Sequence, residues 1–414
     1  MLDLYAKCKA LKAASRKLAA FSGQQKNACL RAVQKTLALH QAKILQANAE
    51  DIRQAEAAGT AAGYIDRLRL TPKRFEGMLA SMDVVVDSVD PVGVSQRAWT
   101  LGNGLKIQKV SVPMGVIAII YESRPNVTID AFALAFKAGN GILLRGSASA
   151  LASNKAIVAS ICEGLEAAGV SSDVVCLIEE PSREVVGQLL GLRDCIDLVI
   201  PRGGGGLIQF VTQNAKIPVI ETGLGNCHLY VDASANLEMA LDILENAKLQ
   251  RVSVCNSCET LLVHEAVAEV FLKNMSARMA SKVELRACER SRQHIEAKPA
   301  TEADFKEEFC DYILAVKVVS TFAEAVAHIN QYGTMHSETI ITEDYSKALA
   351  FTNEVDAACV YVNASTRFTD GEAFGFGAEM GVSTQKMHVR GPMGLEALVS
   401  TKYVIFGNGQ TRPD

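Results

Sequence analysis

From Val112 onward, strand-length apolar runs alternate with helix-length segments, and this rhythm limits the fold more than any single motif. Residues 116–121, 141–145, 174–178 and 196–200 read as buried strands, with helices at 127–137, 150–168 and 184–190 between them. A helix at 207–214 and short strands at 218–221 and 228–231 complete the run. This spacing predicts a parallel sheet with helices on both faces, whose ligand lies beyond the carboxyl ends of the strands. After Val231 the alternation restarts, with helices at 236–248, 266–281, 289–296, 323–330 and 345–353 and strands at 259–263, 283–287, 313–319, 338–342 and 359–362. The fold class is therefore α/β, with two α/β domains in succession.

The chain before Val112 has a different character. Residues 3–58 are rich in Ala, Lys and Gln, and Leu30, Val33, Leu37, Ile44 and Ile52 mark one stripe of a long helix or helix pair. A less regular helical segment follows through Met82. Residues 97–112 alternate like two strands around the turn Gly102-Asn103-Gly104 and carry the only tryptophan, Trp99. Such a hairpin suits an arm that reaches a partner subunit. The tail segment Lys402-Tyr403-Val404-Ile405-Phe406 could complete a sheet with it across a dimer.

Composition excludes several classes of partner. A net charge of −4 and the absence of a basic block argue against nucleic acid. No apolar run approaches the roughly 20 residues that span a bilayer, so no membrane is expected. The N-terminus lacks the basic-then-apolar order of a signal peptide, which points to the cytoplasm. Eleven scattered cysteines, an odd number, read as free thiols in a reducing compartment.

One cysteine stands apart. In Arg251-Val252-Ser253-Val254-Cys255-Asn256-Ser257-Cys258-Glu259 the thiol of Cys255 precedes an apolar run that reads as a buried strand. A thiol on a turn at a strand edge can face a cleft and attack a carbonyl carbon, and its polar neighbours argue against an apolar burial site. Most intracellular cysteines are inert core fillers, which is the competing reading. Cys255 and Cys258 also form a C-x-x-C, open to a redox pair or half of a zinc site. No second ligand pair at suitable spacing exists, so no metal is expected.

Three strand-end loops are candidates for ligand contact. Tyr121–Asn126 ends the first strand, with Arg124 in it and Asn126 where a helix N-cap belongs. Arg145-Gly146-Ser147 offers a cation and a hydroxyl at a helix start. Arg202-Gly203-Gly204-Gly205-Gly206 lets backbone approach a phosphorylated ligand, although a purely structural glycine turn is the alternative. Neither Gly-x-Gly-x-x-Gly nor a P-loop is present.

The segments Val254-Cys255-Asn256, Glu259–His264 and Ala327–Glu338, with Tyr121–Asn126, Pro201–Gly204 and Phe374–Gly381, resemble the γ-glutamyl phosphate reductase family within the aldehyde dehydrogenase superfamily. The likeness covers essentially the whole chain. It implies an aldehyde dehydrogenase-like fold of two Rossmann-like α/β domains plus a β oligomerisation arm. Residues 1–96 and 113–232 with 369–396 would bind NADPH, 233–368 would carry catalysis, and 97–112 with 397–414 would form the arm. The implied reaction is NADPH-dependent reduction of L-glutamyl 5-phosphate to glutamate 5-semialdehyde and phosphate, in proline synthesis. It also implies a homo-oligomer, dimer or tetramer, and functional coupling to glutamate 5-kinase.

On this resemblance Cys255 forms a thioester, and its backbone N–H with the Asn126 side chain holds the oxyanion. Nearby positive groups would favour the thiolate. Arg145, Ser147, Arg202, Gly203 and Gly204 would contact the cofactor, and Glu308 its nicotinamide ribose. Arg145 and Ser147 stand where NAD-using relatives carry Lys-Pro-x-Glu, which favours a 2′-phosphate. Arg124, Asn363, Ser365, Thr366 and Arg367 are the candidates for the substrate's carboxylate and ammonium. Oxidative relatives place a water-activating Glu where this chain has Gly223, in Gly223-Leu224-Gly225-Asn226. Glu221 could substitute in a hydrolytic rival, and a non-catalytic nucleotide-binding or thiol-sensing module is a further alternative. His328 and His336 receive no catalytic role, and Cys258 is open to acting as a resolving thiol for Cys255.

Overall fold

Where the stripe from Leu30 to Ile52 predicts one long helix or a pair, three helices form: Leu2–Leu18, Gly23–Leu39 and Gln41–Ala57. The break before Gly23 comes from Ser22, whose side chain and that of Gln25 reciprocally cap the second helix. The computed structural model describes Leu2 to Arg412; Met1 of the first expected domain and Pro413 and Asp414 of the expected arm lie outside the described residues.

The chain divides into two units. The first runs to Glu221 and adds Gly375–Gly381 and the chain from Met393; the second holds Thr222–Phe374 and Val382–Pro392. In the first, a four-stranded parallel sheet is ordered Val175–Leu177, Gly141–Arg145, Val116–Tyr121, Leu198–Arg202. Every residue of Val116–Tyr121 is buried, as a central parallel strand covered on both faces requires. The N-terminal helices pack on this unit through polar anchors. Asp51 accepts from the N–H groups of Ala152 (3.2 Å) and Ser153 (2.8 Å), capping the helix Leu151–Ala167. Asn48 donates to Leu68 O and accepts from Leu70 N–H.

Two expected strands fall elsewhere. The segment 218–221 makes only an isolated bridge, Val199 to Val219. The strand Cys227–Val231, expected to close the first domain, lies instead between Cys258–His264 and Ser337–Ile341 in the second unit. The reason is connectivity: a parallel neighbour in the same sheet needs a crossover of a dozen or more residues, and the chain between 221 and 227 is too short for one. The stretches 369–374 and 382–392, expected with the cofactor domain, also belong to the second unit. Val382–Ser383 pairs with Gly391–Pro392, a small hairpin without a sequence signal. Val382 O accepts from Gly223 N–H, and Asp356 pairs with Lys386 and with Arg390 (2.8 Å).

The second unit's sheet has seven parallel strands, ordered Lys298–Pro299, Glu284–Ala287, Ile313–Val319, Cys258–His264, Cys227–Val231, Ser337–Ile341, Cys359–Val362. One face buries Leu229, Leu261, Val263 and Val316 against Leu244, Phe271 and Met275. The other packs Tyr230, Leu262 and Ile340 against Val326, Ile329 and Phe351. Of the helix expected over 289–296, only Glu289–Arg292 forms.

The expected hairpin is present as Ser95–Thr100 and Lys106–Pro113, and Val399–Phe406 joins it to make a three-stranded antiparallel sheet in the first unit. Trp99 meets Tyr403 edge-on, with ring centroids 6.2 Å apart. Tyr403, Ile405 and Phe406 are exposed. No helix among the described residues is long and apolar enough to cross a membrane.

Gly164 marks a close backbone contact between helices in the first unit, since a Cβ there would lie 2.5 Å from the Val33 Cα. Backbone cannot yield as a side-chain tip can. Gly164→Ala should therefore destabilise the fold by about 1–3 kcal/mol, read as a lower denaturant midpoint with an unchanged m-value.

Candidate active site

Cys255 sits on a turn just before the strand Cys258–His264, partly exposed, as its sequence setting predicts. Its neighbours correct one expectation: Asn256 and Ser257 are buried, not solvated. They are tolerated because each is hydrogen-bonded. Asn256 donates from its amide to the carbonyls of Thr369 (2.9 Å) and Arg367 (3.3 Å), while its Oδ1 accepts from Arg367 Nη1. Its own carbonyl accepts from Thr366 Oγ1 at 2.7 Å. Ser257 donates to Ala247 O at 3.4 Å.

On its other side the Cys255 turn meets Gly223–Asn226. A Cβ on Gly225 would fall 1.5 Å from the Cys255 carbonyl oxygen, so this contact is open to glycine alone. The same oxygen accepts from the buried Cys227 thiol at 3.2 Å. Glu308 Oε1 accepts from Gly225 N–H at 3.0 Å. Asn226 donates to Phe305 O (2.8 Å) and Tyr332 O (2.9 Å), and its N–H meets Thr334 Oγ1 at 3.0 Å. The segment Ala327–Glu338, picked out by resemblance, thus anchors the turn that packs on Cys255.

At Gly223 a Cβ would lie 2.1 Å from Thr384 Cγ2. A glutamate there would press on the Thr384 side chain, so Thr384 would have to shift to admit a carboxylate at that position. Cys258 is fully buried, its thiol donates to Thr260 O at 3.5 Å, and burial pushes it up to about 12. Burial of that kind leaves a resolving thiol inert. His328 packs against Phe305 and Tyr332, and burial pushes its imidazole down to about 2, so it is neutral. His336 is buried beside Ser337. Both are packing and hydrogen-bonding residues.

Four of the five candidates for substrate contact, Asn363, Ser365, Thr366 and Arg367, form hydrogen bonds within the second unit. Asn363, in the left-handed region at φ 55°, binds both the N–H and the carbonyl of Thr342 at 2.9 Å. Ser365 accepts from Arg367 N–H, Thr366 and Arg367 hold Asn256, and Arg367 Nε donates to Gln250 at 2.9 Å. Arg124 lies, half-buried, in the turn ahead of the helix Asn126–Lys137.

In the first unit the candidate cofactor residues lie at the carboxyl ends of the parallel strands. Pro125, not Asn126, is the residue flanking the helix; Asn126 is its first member. Asn126 Nδ2 donates to Asp130 at 3.1 Å, one turn on. Burial raises the Asp130 carboxyl to about 6, against the pull of the Asn126 amide and the Arg202 charge. A lone acid in the apolar run 127–136 was the sequence signal for this residue. Arg202 points toward Glu379 (3.9 Å). Arg145 donates to the carbonyls of Pro181 and Ser182. Ser147 accepts from Ser123 N–H (3.1 Å) and pairs with Ser149 (2.8 Å), giving a hydroxyl cluster. Gly204 flanks the helix Gly205–Asn214, which lacks a side-chain N-cap, and Glu122 Oε2 accepts from Gly204 N–H at 2.9 Å. A carboxylate resting on this amide shows that the site accommodates an anion. Among the described residues no group of three or more His, Cys, Asp or Glu is placed to hold a metal ion.

Comparison with known proteins follows the same lines. The model of the aldehyde dehydrogenase family matches residues 3–291 and 296–404. The chain is 53% identical over 412 residues to the γ-glutamyl phosphate reductase of Alkaliphilus metalliredigens, covering 100% of both. The Listeria innocua protein of that name is 53% identical over 414 residues, again covering 100% of both. The crystal structure of the Thermotoga maritima γ-glutamyl phosphate reductase superposes with a TM-score of 0.95 at 46% identity, covering 99% of this chain and 100% of that one. An acetylating aldehyde dehydrogenase from Geobacillus thermoglucosidasius shares the fold at 18% identity, with a TM-score of 0.73 over 100% of this chain and 98% of its own.

The packing of Gly225 on Cys255 makes a definite prediction. Gly225→Ala should leave a folded protein, judged by circular dichroism, whose kcat falls at least about a hundredfold because the nucleophile is displaced. The buried Cys258 makes another: oxidised protein should show no 255–258 disulfide in its peptide masses.

Proposed function

The chain belongs to the aldehyde dehydrogenase family and, within it, to the γ-glutamyl phosphate reductases, and from that premise we propose that it reduces L-glutamyl 5-phosphate to L-glutamate 5-semialdehyde and phosphate by way of a thioester on Cys255. The observation that carries the thioester route is the setting of that thiol: partly exposed, on a turn held from two sides, in a unit that has Gly223 and no carboxylate at the position of the water-activating Glu.

An acyl phosphate is already activated, so the Cys255 thiolate attacks its carbonyl carbon and phosphate leaves. The oxyanion formed in that step takes the Cys255 N–H and, in our reading, the Asn126 amide. Asp130 accepts one N–H of Asn126 and so fixes which end of the amide is the donor. Removing one oxyanion donor typically costs about 3–4 kcal/mol of transition-state stabilisation, so Asn126→Ala should lower kcat by about two to three orders of magnitude. Once the acyl carbon has been reduced, Cys255 leaves as thiolate and releases the aldehyde.

The residues at the strand ends fit a nicotinamide dinucleotide, the Gly-rich helix start offering N–H groups to its phosphates, that of Gly204 by exchange with the Glu122 carboxylate it now meets. When bound, NADPH supplies the hydride. We assign its contacts to Ser147, Gly203 and Gly204, with Ser147 in the hydroxyl cluster nearest Arg145 as the feature that favours a 2′-phosphate. Arg145 and Arg202 contribute charge while bonded to other groups. We assign Glu308 to the cofactor ribose only as an exchange with its present partner, Gly225. We assign Arg124 to the substrate's carboxylate on its charge and its place in the turn ahead of the helix Asn126–Lys137. The exposed Tyr403, Ile405 and Phe406 on the outer strand of the three-stranded sheet support a homo-oligomer built through that arm. A short-lived acyl phosphate also favours coupling to the kinase that makes it, in the cytoplasm.

The test is the reverse reaction, glutamate 5-semialdehyde with NADP⁺, in the presence and absence of phosphate. Wild type should form NADPH beyond one equivalent per site only with phosphate, and Cys255→Ser should form none. Phosphate-independent turnover would assign the chain to the hydrolytic rival.

A further inference from the structure

Asn256 and the turn Thr366–Phe368 are joined more tightly than fold maintenance alone explains. Four hydrogen bonds link this one residue to the segment 366–369: its amide donates to two carbonyls, its Oδ1 accepts from Arg367, and its carbonyl accepts from Thr366. Asn256 is buried and directly follows the nucleophile, so any shift of its side chain moves the Cys255 backbone. The cation in this clamp is itself half-buried, with Nε fixed on Gln250.

We propose that Arg367 is a positioning residue for the reaction: by locking Asn256 it sets the place of the Cys255 thiol, and its charge favours the thiolate there. The proposal rests on Cys255 being the reactive thiol. Planar guanidinium suits the role, because its in-plane Nε–H and Nη1–H groups bond two amide oxygens in fixed directions while the charge persists at every working pH. Burial lowers the Arg367 pKa, whereas Cys255 and Cys227 act to raise it, a mutual attraction between this cation and those thiols. Other ionisable groups surround the turn. Asp370 acts to raise the Arg367 pKa and Arg251 to lower it. Cys227, with Glu338 and Glu308 acting on it, lies below. The buried Lys248–Glu259 pair stands at the base of the following strand. Glu308 is the acid tied to the adjoining Gly225.

Alkylation of Cys255 by iodoacetamide, followed on its own peptide by mass spectrometry from about pH 5 to 9, reads the thiolate directly. In Arg367→Gln the midpoint of the profile should rise by about one unit, which is roughly a tenfold slower alkylation at neutral pH. Arg367→Lys should restore the midpoint and still show reduced kcat, because an ammonium restores charge and not the two-point geometry. Gln250 is exposed, so Gln250→Ala keeps the fold and only loosens Arg367; alkylation should slow about two- to threefold. Unchanged profiles in Arg367→Gln and Gln250→Ala would overturn the proposal. So would an unchanged profile with a raised KM for the semialdehyde, which makes Arg367 a substrate ligand. Should Arg367→Gln fail to fold, an unshifted Gln250→Ala profile is enough to reject the clamp. A wild-type Cys255 no more reactive than an ordinary thiol would refute the nucleophile itself, a separate outcome.

Discussion

The contact between Gly225 and the Cys255 carbonyl is the constraint on which the second unit's functional geometry depends. No side chain fits there, so the nucleophile's turn and the turn 223–226 touch through backbone. Backbone contact is stiff, and it transmits the position of everything that anchors either turn. Asn226 ties one side to Phe305, Tyr332 and Thr334; Glu308 ties it again at Gly225. Asn256 ties the other side to residues 366–369. A reactive atom is useful only when held within a fraction of an ångström of its working place, and here four separate chain segments hold it.

Buried charge lies close beneath this arrangement. Lys248 and Glu259 form a fully buried pair at 2.6 Å, and Glu259 also accepts from Cys310 N–H. Burial pushes the Glu259 carboxyl up, and Lys248 pulls it back toward the charged form. Glu338, raised by burial, accepts from both the N–H (2.6 Å) and the ring of His228 (3.1 Å). Such pairs add little net stability over an apolar packing of the same shape, although losing one partner is costly. Their value is directional: Glu259 fixes Cys310, two residues from Glu308, and so the acid that holds Gly225. Positioning at Cys255 is thus bought with buried polar groups.

Much of this was legible in the sequence, for physical reasons that differ by level. Strand and helix alternation gave the two α/β units because buried parallel strands are short, apolar and regularly spaced. The strand Cys227–Val231 was legible as a strand but not as a member of the second sheet; its burial pattern suits either, and only the short chain before it decides. The place of Cys255, on a turn just before a buried strand, was legible in the sequence. The reason assigned to it, polar and therefore solvated neighbours, was not, since Asn256 is buried and satisfied by residues more than a hundred positions away. Asn363, Ser365 and Thr366 read as ligand groups because polar loop residues do, yet their partners are backbone groups of their own unit. Thr384 above Gly223 left no sequence trace at all, as is usual where packing alone sets a role.

The central claim, a glutamyl thioester on Cys255 that phosphate and not water resolves, is tested most directly by trapping it. Protein given glutamate 5-semialdehyde and NADP⁺ without phosphate, then quenched in acid, should show an acyl adduct on the Cys255 peptide, and added phosphate should remove it before quenching. An adduct that water removes as fast as phosphate, or no adduct on Cys255 in protein that turns over, would contradict the account.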